Sequence, residues 1–202
     1  MPALTLGTLI SETTSALGNR LDVALSTLSL HANIAQLEVA SMLPQLELMS
    51  TTTLVLGANS QTTNLPADFA EVVDIYRPNS YDAMGHRALS LVPPHVIDDA
   101  PEGTTAGTVD RFTVVGGNVL FFPPAVSADT FVLRYVRTPS DMTALTALPS
   151  LATRYHPAIL YKFQENMADR LLDNQRAAYF RNKCISVLGT VPTPGDVLSR
   201  AS

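Results

Sequence analysis

Tryptophan is absent and there is one cysteine, Cys184, so no internal disulfide framework can hold this chain together. A lone thiol in apolar company reads as a small helix residue. Charge is scarce too. Only 15% of the 202 residues are charged, well under the usual quarter, while 46% are apolar. Large interfaces are depleted in charge, so the shortage points to surface covered by neighbouring subunits. A net charge of −5 argues against a broad basic surface that grips nucleic acid, although an acidic wall suits a channel through which a phosphate backbone slides. No apolar run approaches the ~20 residues of a membrane span, and "MPALTLGTLI" has no basic region ahead of its apolar residues. Neither a membrane span nor a signal peptide is expected.

Catalytic signatures are also missing. The histidines His31, His86, His95 and His156 show no paired zinc-ligand spacing. His95 with Asp98 and Asp99 is the one local cluster that could hold a metal, and its Pro-rich setting predicts a solvated loop. There is no phosphate-cradling Gly-Lys-Ser/Thr loop and no Gly-x-Ser-x-Gly elbow. "VVGGNV" precedes a strand pattern and not a helix, which makes it a turn. Glu165 and Asp169, with Arg170 and Asp173 beside them, lack the helical His partners of a bundle metal site, so a solvated face with local ion pairs is expected. Arg134 and Arg137 around Tyr135 have no further positive charge near them, which predicts an exposed polar strand face. No catalytic, cofactor-binding or metal-binding residue is assigned, and the chain is not expected to be an enzyme.

What is present is a clear order of elements. Leu6, Leu9, Ile10, Thr13, Ala16 and Leu17 lie at helical spacing, and Gly18-Asn19 ends that helix. Asp22 is placed to cap a second helix to about residue 41, with Leu25, Leu28, Ala32, Ala35, Val39 and Met42 on one face. "LELMSTTTLVLG" suits one or two strands. In "NLPADFAEVVDIYR", Pro66 pre-sets a turn, Asp68 can bond the backbone beyond it, and Phe69 begins a strand over 72–76. Residues 78–108 read as loop and short irregular pieces, with a single helical turn after Pro94 in "LSLVPPHVIDDAP". "RFTVVGGNVLFFPP" is a tight hairpin about Gly116-Gly117, and "DTFVLRYVRTP" a further strand with Phe131, Leu133 and Tyr135 on one face. From 155 to 188 the pattern is one long helix, with Pro157 in its first turn and Gly189 as its stop. Its stripe is Ile159, Phe163, Met167, Leu171, Asn174, Ala178 and Ile185, and its length about 45–50 Å makes it a strut. Pro192, Pro194 and Gly195 force an extended end.

The predicted fold is thus α+β. An α-helical bundle of two N-terminal helices and one long C-terminal helix carries an inserted small antiparallel β-domain and an extended C-terminal arm. Residues 1–189 form a single domain, with helices at about 4–42 and 155–188 and the β insertion at about 45–140. Residues 190–202 form the arm, in which Val191, Pro192, Pro194, Val197 and Leu198 are candidates for binding a partner.

The succession "NLPADFAEVVDIYRP", "RFTVVGGNVLFFPPAVSADTFVLRYVRTP" and "SLATRYHPAILYKFQENMADRLLDNQRAAYF" resembles the head-to-tail adaptor (connector) proteins of tailed bacteriophages. The residues that carry the likeness are Leu65, Pro66, Asp68, Phe69, Gly116, Gly117, Tyr135 and Pro157. The Pro- and Asp-rich 90–103 segment and the C-terminal arm depart from the family pattern. The resemblance implies a structural adaptor of the virion neck, made in the host cytoplasm. Such proteins form a ring, a dodecamer, below the portal. The ring extends the DNA channel and meets a tail, nozzle or stopper protein, and the genome passes without sequence-specific binding. By the same resemblance the Leu65–Phe69 turn is a structural element that leads into the β part. Two other readings stand beside it. One is a different neck component, a stopper or tail-completion protein, against which the helical segments argue. The other is a small-molecule or carbohydrate-binding module, which would need an aromatic concave surface.

Overall fold

The computed structural model describes residues 3–19, 22–82, 85–98 and 106–190, with backbone alone at 79–82, 85–87 and 98. The arm bearing Val191, Pro192, Pro194, Val197 and Leu198 lies outside the described residues. In chain order the elements are α1 (Leu6–Ala16), α2 (Leu25–Ser41), β1 (Met49–Leu56), β2 (Thr62–Asn64), β3 (Phe69–Asp82), β4 (Gly85–Ala88), β5 (Ser90–Leu91), α3 (Pro94–Asp98), β6 (Arg111–Val115), β7 (Asn118–Phe122), β8 (Asp129–Arg137), α4 (His156–Arg170) and α5 (Asn174–Thr190). The mixed α+β class is as read from the sequence. Two compact units divide the chain: Met1–Leu48 with Thr138–Ser202, and Met49–Arg137.

In the helical unit, α1 starts because Thr5 Oγ1 accepts from the Thr8 N–H at 3.2 Å. It stops where Gly18 and Asn19 take φ of +69° and +57°. Leu6, Leu9, Thr13 and Leu17 are buried along it. Asp22 does not cap α2. That helix begins two residues later, behind Ala24, without any side-chain bond. Its inner face is Leu28, Ala32, Ala35, Gln36, Val39 and Ala40, while Leu25 and Met42, expected inside, are exposed. α4 is the central helix, with α1, α2 and α5 all packed on it.

The single 155–188 helix is corrected to two. After Arg170 the Leu172 N–H bonds the Asp169 carbonyl and the Asp173 N–H bonds the Ala168 carbonyl, both at 3.0 Å. Leu172 sits in the left-handed region at φ +58°. This is a Schellman-type reversal, with leucine where glycine is usual. Asp173 then accepts from the Arg176 N–H at 3.2 Å and so starts α5. The Ala168 and Asp169 carbonyls and the Arg176 N–H thus find partners within the turn itself. The chain can therefore fold α5 back on α4 and bury both apolar faces. Helices of 15 and 17 residues span about 22 and 25 Å in place of the strut. The break also re-phases the stripe. Ala177, Phe180 and Cys184 point inward on α5, whereas Ala178 and Ile185 are exposed. Gly189 lies within α5, which runs to Thr190, and does not stop it.

The β unit holds two four-stranded sheets, ordered β1-β8-β3-β4 and β2-β7-β6-β5. Every pairing between these named strands is antiparallel except the two-residue β5–β6 contact, which is parallel. One core joins them. Leu54, Leu56, Ile75, Phe131, Leu133 and Tyr135 come from the first sheet, and Phe112, Val119 and Phe121 from the second. Phe121 and Phe131 stack across it with centroids 4.7 Å apart. Along β8 the inward residues alternate with Arg134, as a half-buried strand requires. The expected loop at 78–108 is corrected in part: β3 continues to Asp82 and is followed by β4 and β5, while α3 is the helical turn read after Pro94. Its pairing with β8 is irregular at Phe69–Glu71 and Val72–Asp74, which hides the strand's alternation from a sequence reading.

Candidate functional site

Seven of the eight singled-out motif residues converge at the junction of the two sheets. Gly116 and Gly117, at φ +57° and +85°, form the two-residue turn between β6 and β7. Glycine takes such angles without steric strain. The Gly117 carbonyl accepts from the Leu65 N–H at 3.0 Å, so the hairpin tip straps down the start of the Leu65–Phe69 turn. The Phe69 N–H closes that turn on the Pro66 carbonyl at 3.1 Å. The Tyr135 hydroxyl on β8 donates to Asp68 Oδ1 at 2.9 Å, and the Phe69 and Tyr135 rings stack at 6.0 Å. Burial pushes the Tyr135 phenol up, so it remains a proton donor. The chain thereby passes from β2 in one sheet to β3 in the other through a fixed corner. The corner is held by the Leu65–Gly117, Phe69–Pro66 and Tyr135–Asp68 hydrogen bonds. Pro157 stands apart, in the first turn of α4 in the helical unit.

The arginines on the outer face of this unit are occupied. Arg134 lies 3.5 Å from Asp74 and over the Tyr76 ring at 4.8 Å. Arg77 pairs with Asp129 at 2.7 Å and lies over Phe131 at 5.3 Å. A cation engaged in this way has a neighbour that already neutralises it, which leaves little charge for a phosphate.

The helical unit has a polar centre that the sequence reading did not place. Glu165, expected on a solvated face, is only 2% exposed. It is buried between α4 and α5, with Lys162 Nζ at 3.1 Å and Arg181 Nε at 2.7 Å. Burying a carboxylate is costly unless it is paired, and Lys162 and Arg181 supply that pairing. Lys162 also approaches Glu38 of α2 at 4.0 Å, and Asn166 donates to Glu38 at 2.7 Å. One network therefore joins three helices. Cys184 is buried close to it, and burial pushes the thiol up and keeps it protonated.

A second polar set ties α2 to the 138–152 segment. Gln36, fully buried, donates to the Ser140 carbonyl at 2.9 Å and accepts from the Ser150 N–H at 2.8 Å. Asn33, one turn earlier, accepts from the Met142 N–H at 2.9 Å. The same segment caps α1, since the Leu6 and Gly7 N–H groups donate to Ala147 and Leu145 carbonyls at 2.9 and 2.8 Å. The Leu4 N–H donates to His156 Nδ1 at 3.0 Å, and His156 Nε2 faces the Leu151 carbonyl at 3.2 Å. With Nδ1 accepting, the proton sits on Nε2 and the ring is neutral. Burial holds the His156 pKa below its ordinary value. The signal for Asn33 and Gln36 was two amides three apart beside an apolar helix face.

No nucleophile and base meet in either set. Among the described residues no group of three or more His, Cys, Asp and Glu side chains could hold a metal ion. His95 is exposed on α3, and Asp99 lies outside the described residues. No described helix is long and apolar enough to cross a membrane. What both units do expose is apolar surface. Leu30, Leu37, Leu172, Tyr179 and Ile185 stand out on the helical unit, with Val55, Val73 and Val115 on the β unit. Apolar side chains this exposed are surface that a neighbouring molecule can cover.

No curated protein matches the chain. The model of the family described as SU10 adaptor protein matches residues 4–193, which takes in the corner joint of the β unit and all four long helices. The chain therefore belongs to the SU10 adaptor protein family, a family of phage head-to-tail adaptors.

Proposed function

We propose that this chain forms a ring below the portal at the capsid vertex, where it extends the DNA channel and joins the capsid to a tail, nozzle or stopper protein. The observation that carries the reading is the family match over residues 4–193, which covers both units. Surface chemistry supports it. With 15% of residues charged and leucines exposed along α2, the chain has more apolar exterior than a lone monomer needs. A net charge of −5 suits a lumen through which DNA passes without being held. The arm, through Val191, Pro192, Pro194, Val197 and Leu198, docks on the portal, since a Pro-containing sequence with apolar side chains suits addition to a neighbour's surface.

The test is to mix the purified chain with portal rings and image the product. A closed ring of this chain seated on the portal is the expected result. Portal rings that stay bare at saturating chain concentration would overturn the reading. Deletion of residues 190–202 separates the arm from the ring. Attachment should be lost while the thermal midpoint holds, and undiminished attachment would dismiss the arm alone.

A further inference from the structure

We infer that the β1 edge of the β unit in one copy joins the β4 edge of the next, so that the sheet β1-β8-β3-β4 continues from copy to copy. The inference rests on the ring reading above and supplies its lateral contact.

An edge strand presents unpaired N–H and C=O groups, and natural sheets blunt it with charge, proline, a bulge or a very short strand. Three of the four edges in this unit are blunted in that way. β2 and β5 are three and two residues long. β4 has four residues, and its register with β3 shifts between Tyr76 and Tyr81. β1 has none of these devices. Its eight residues, "MSTTTLVL", include no charge, no proline and no glycine, and they pair with β8 from Met49 to Leu56 in one unbroken register. Thr51, Thr53 and Val55 face solvent, Val55 with 65% of its surface open. Among the described residues no strand pairs with the other side of β1.

The same sheet holds a segment that lacks what β1 can supply. The pairing of β3 with β8 ends at Tyr76. β3 nevertheless runs on to Asp82 and pairs there with β4, Tyr81 opposite His86 and Asp82 opposite Gly85. Past Tyr76 the two strands are thus a two-stranded ribbon. Two strands alone are marginal in water, and a third makes such a ribbon stable. Strand direction selects β4 as the side that β1 joins. The pairings within this sheet are all antiparallel, so its two edges run in opposite directions. A copy turned about an axis along the strands sets its β1 antiparallel to β4, the pairing that the sheet uses throughout. The same turn would set β1 parallel to β3. Each copy then meets its neighbours through two different edges, and repetition of the contact closes a ring. β1 laid on β1 of a second copy would instead close as a pair and leave both ribbons bare. A ladder as short as β4 makes a small contact, weak between two copies and strengthened by closure.

The experiment follows assembly of the full-length chain on portal rings against concentration, by single-particle mass measurement. Along β1, alternate N–H groups point toward β8 and away from it. Of the neighbours Thr52 and Thr53, one therefore bonds within the sheet and the other faces the open edge. Thr52→Pro and Thr53→Pro remove these groups one at a time. The variant that keeps the thermal midpoint has lost the outward group alone, and it should raise the concentration for half-assembly by about tenfold or more. Disulfides give a second readout that leaves the ladder whole, and they decide if both proline variants unfold early. Chain carrying Thr51→Cys, Thr53→Cys or Val55→Cys is mixed with chain carrying His86→Cys or Arg87→Cys. A mixed disulfide should form on the portal ring, above the background of the wild-type chain, whose Cys184 is buried. The β1 variants alone should stay unlinked. Self-linking by Thr53→Cys with no mixed product shows a β1–β1 pair and overturns the inference. No mixed disulfide at all, or wild-type assembly by the proline variant that keeps its midpoint, overturns it too, while wild-type rings leave the ring reading intact. Wild-type chain that forms no ring on the portal overturns both.

Discussion

Replacing Leu172 separates the helical hairpin from the strut that hydrophobic periodicity suggests. Leu172 holds φ +58° and is 85% exposed, so its side chain contributes almost no burial that could be lost. A leucine in the left-handed region costs about 1–2 kcal/mol relative to glycine. Glycine in turn loses about 0.5–1 kcal/mol more backbone freedom on folding. Leu172→Gly should therefore stabilise by about 0.5–1 kcal/mol, which for a chain of this size raises the thermal midpoint by about 1–4 °C. Leu172→Ala is the control, since alanine keeps the Cβ strain and should change little. Were 155–188 one continuous helix, the order would reverse. Glycine would then sit in a helix interior about 1 kcal/mol below alanine. Thermal and urea unfolding of the three proteins read the sign directly. Leu172→Ala more stable than Leu172→Gly refutes the reversal at 171–173.

The remaining expectations concern buried polar groups. His156 is neutral in the fold and its pKa is lowered by burial, so the unfolded chain binds the proton more readily. Stability should be full above the ordinary histidine value of about 6.5 and decline as pH falls below it. A His156→Gln variant should lose that part of the slope in urea titrations between pH 5 and 8, and an unchanged slope contradicts the assignment. Gln36→Leu keeps the volume but orphans the Ser140 carbonyl and Ser150 N–H, and should destabilise by about 2 kcal/mol in urea unfolding. A loss under about 0.5 kcal/mol, the range of a neutral surface change, would mean that the 138–152 segment is not held by that amide.

Local features were legible from the sequence and tertiary ones were not. The Gly18-Asn19 helix end, the Gly116-Gly117 turn and the alternation of Phe131, Leu133 and Tyr135 each depend on a few neighbouring residues, and the chain folds accordingly. The reversal at 171–173 escaped because leucine fills the position where glycine would announce it, and because the helical spacing runs on from Met167 and Leu171 through Asn174 to Ala178. Asp173 was the available sign, as a cap residue inside an otherwise helical pattern. Glu165 and Gln36 were invisible for a different reason. Burial of a charge or an amide is set by partners such as Arg181 and the Ser140 and Ser150 backbone, which are distant in sequence. The α2 helix shows both cases. Leu28, Ala32, Ala35 and Val39 of its inner stripe were found, while Leu30 and Leu37 on the far side, both exposed, were not singled out. For the corner joint, the order of short motifs identified the residues, but only the fold shows that Leu65 bonds Gly117 and that Asp68 takes the Tyr135 hydroxyl.

Imaging the neck of an intact particle that encodes this chain tests the central claim most directly. The account expects a closed ring between portal and tail, each repeat of which fits the helical unit and the two-sheet unit, around an open channel. A neck that is complete, with every density accounted for by other proteins, would contradict it.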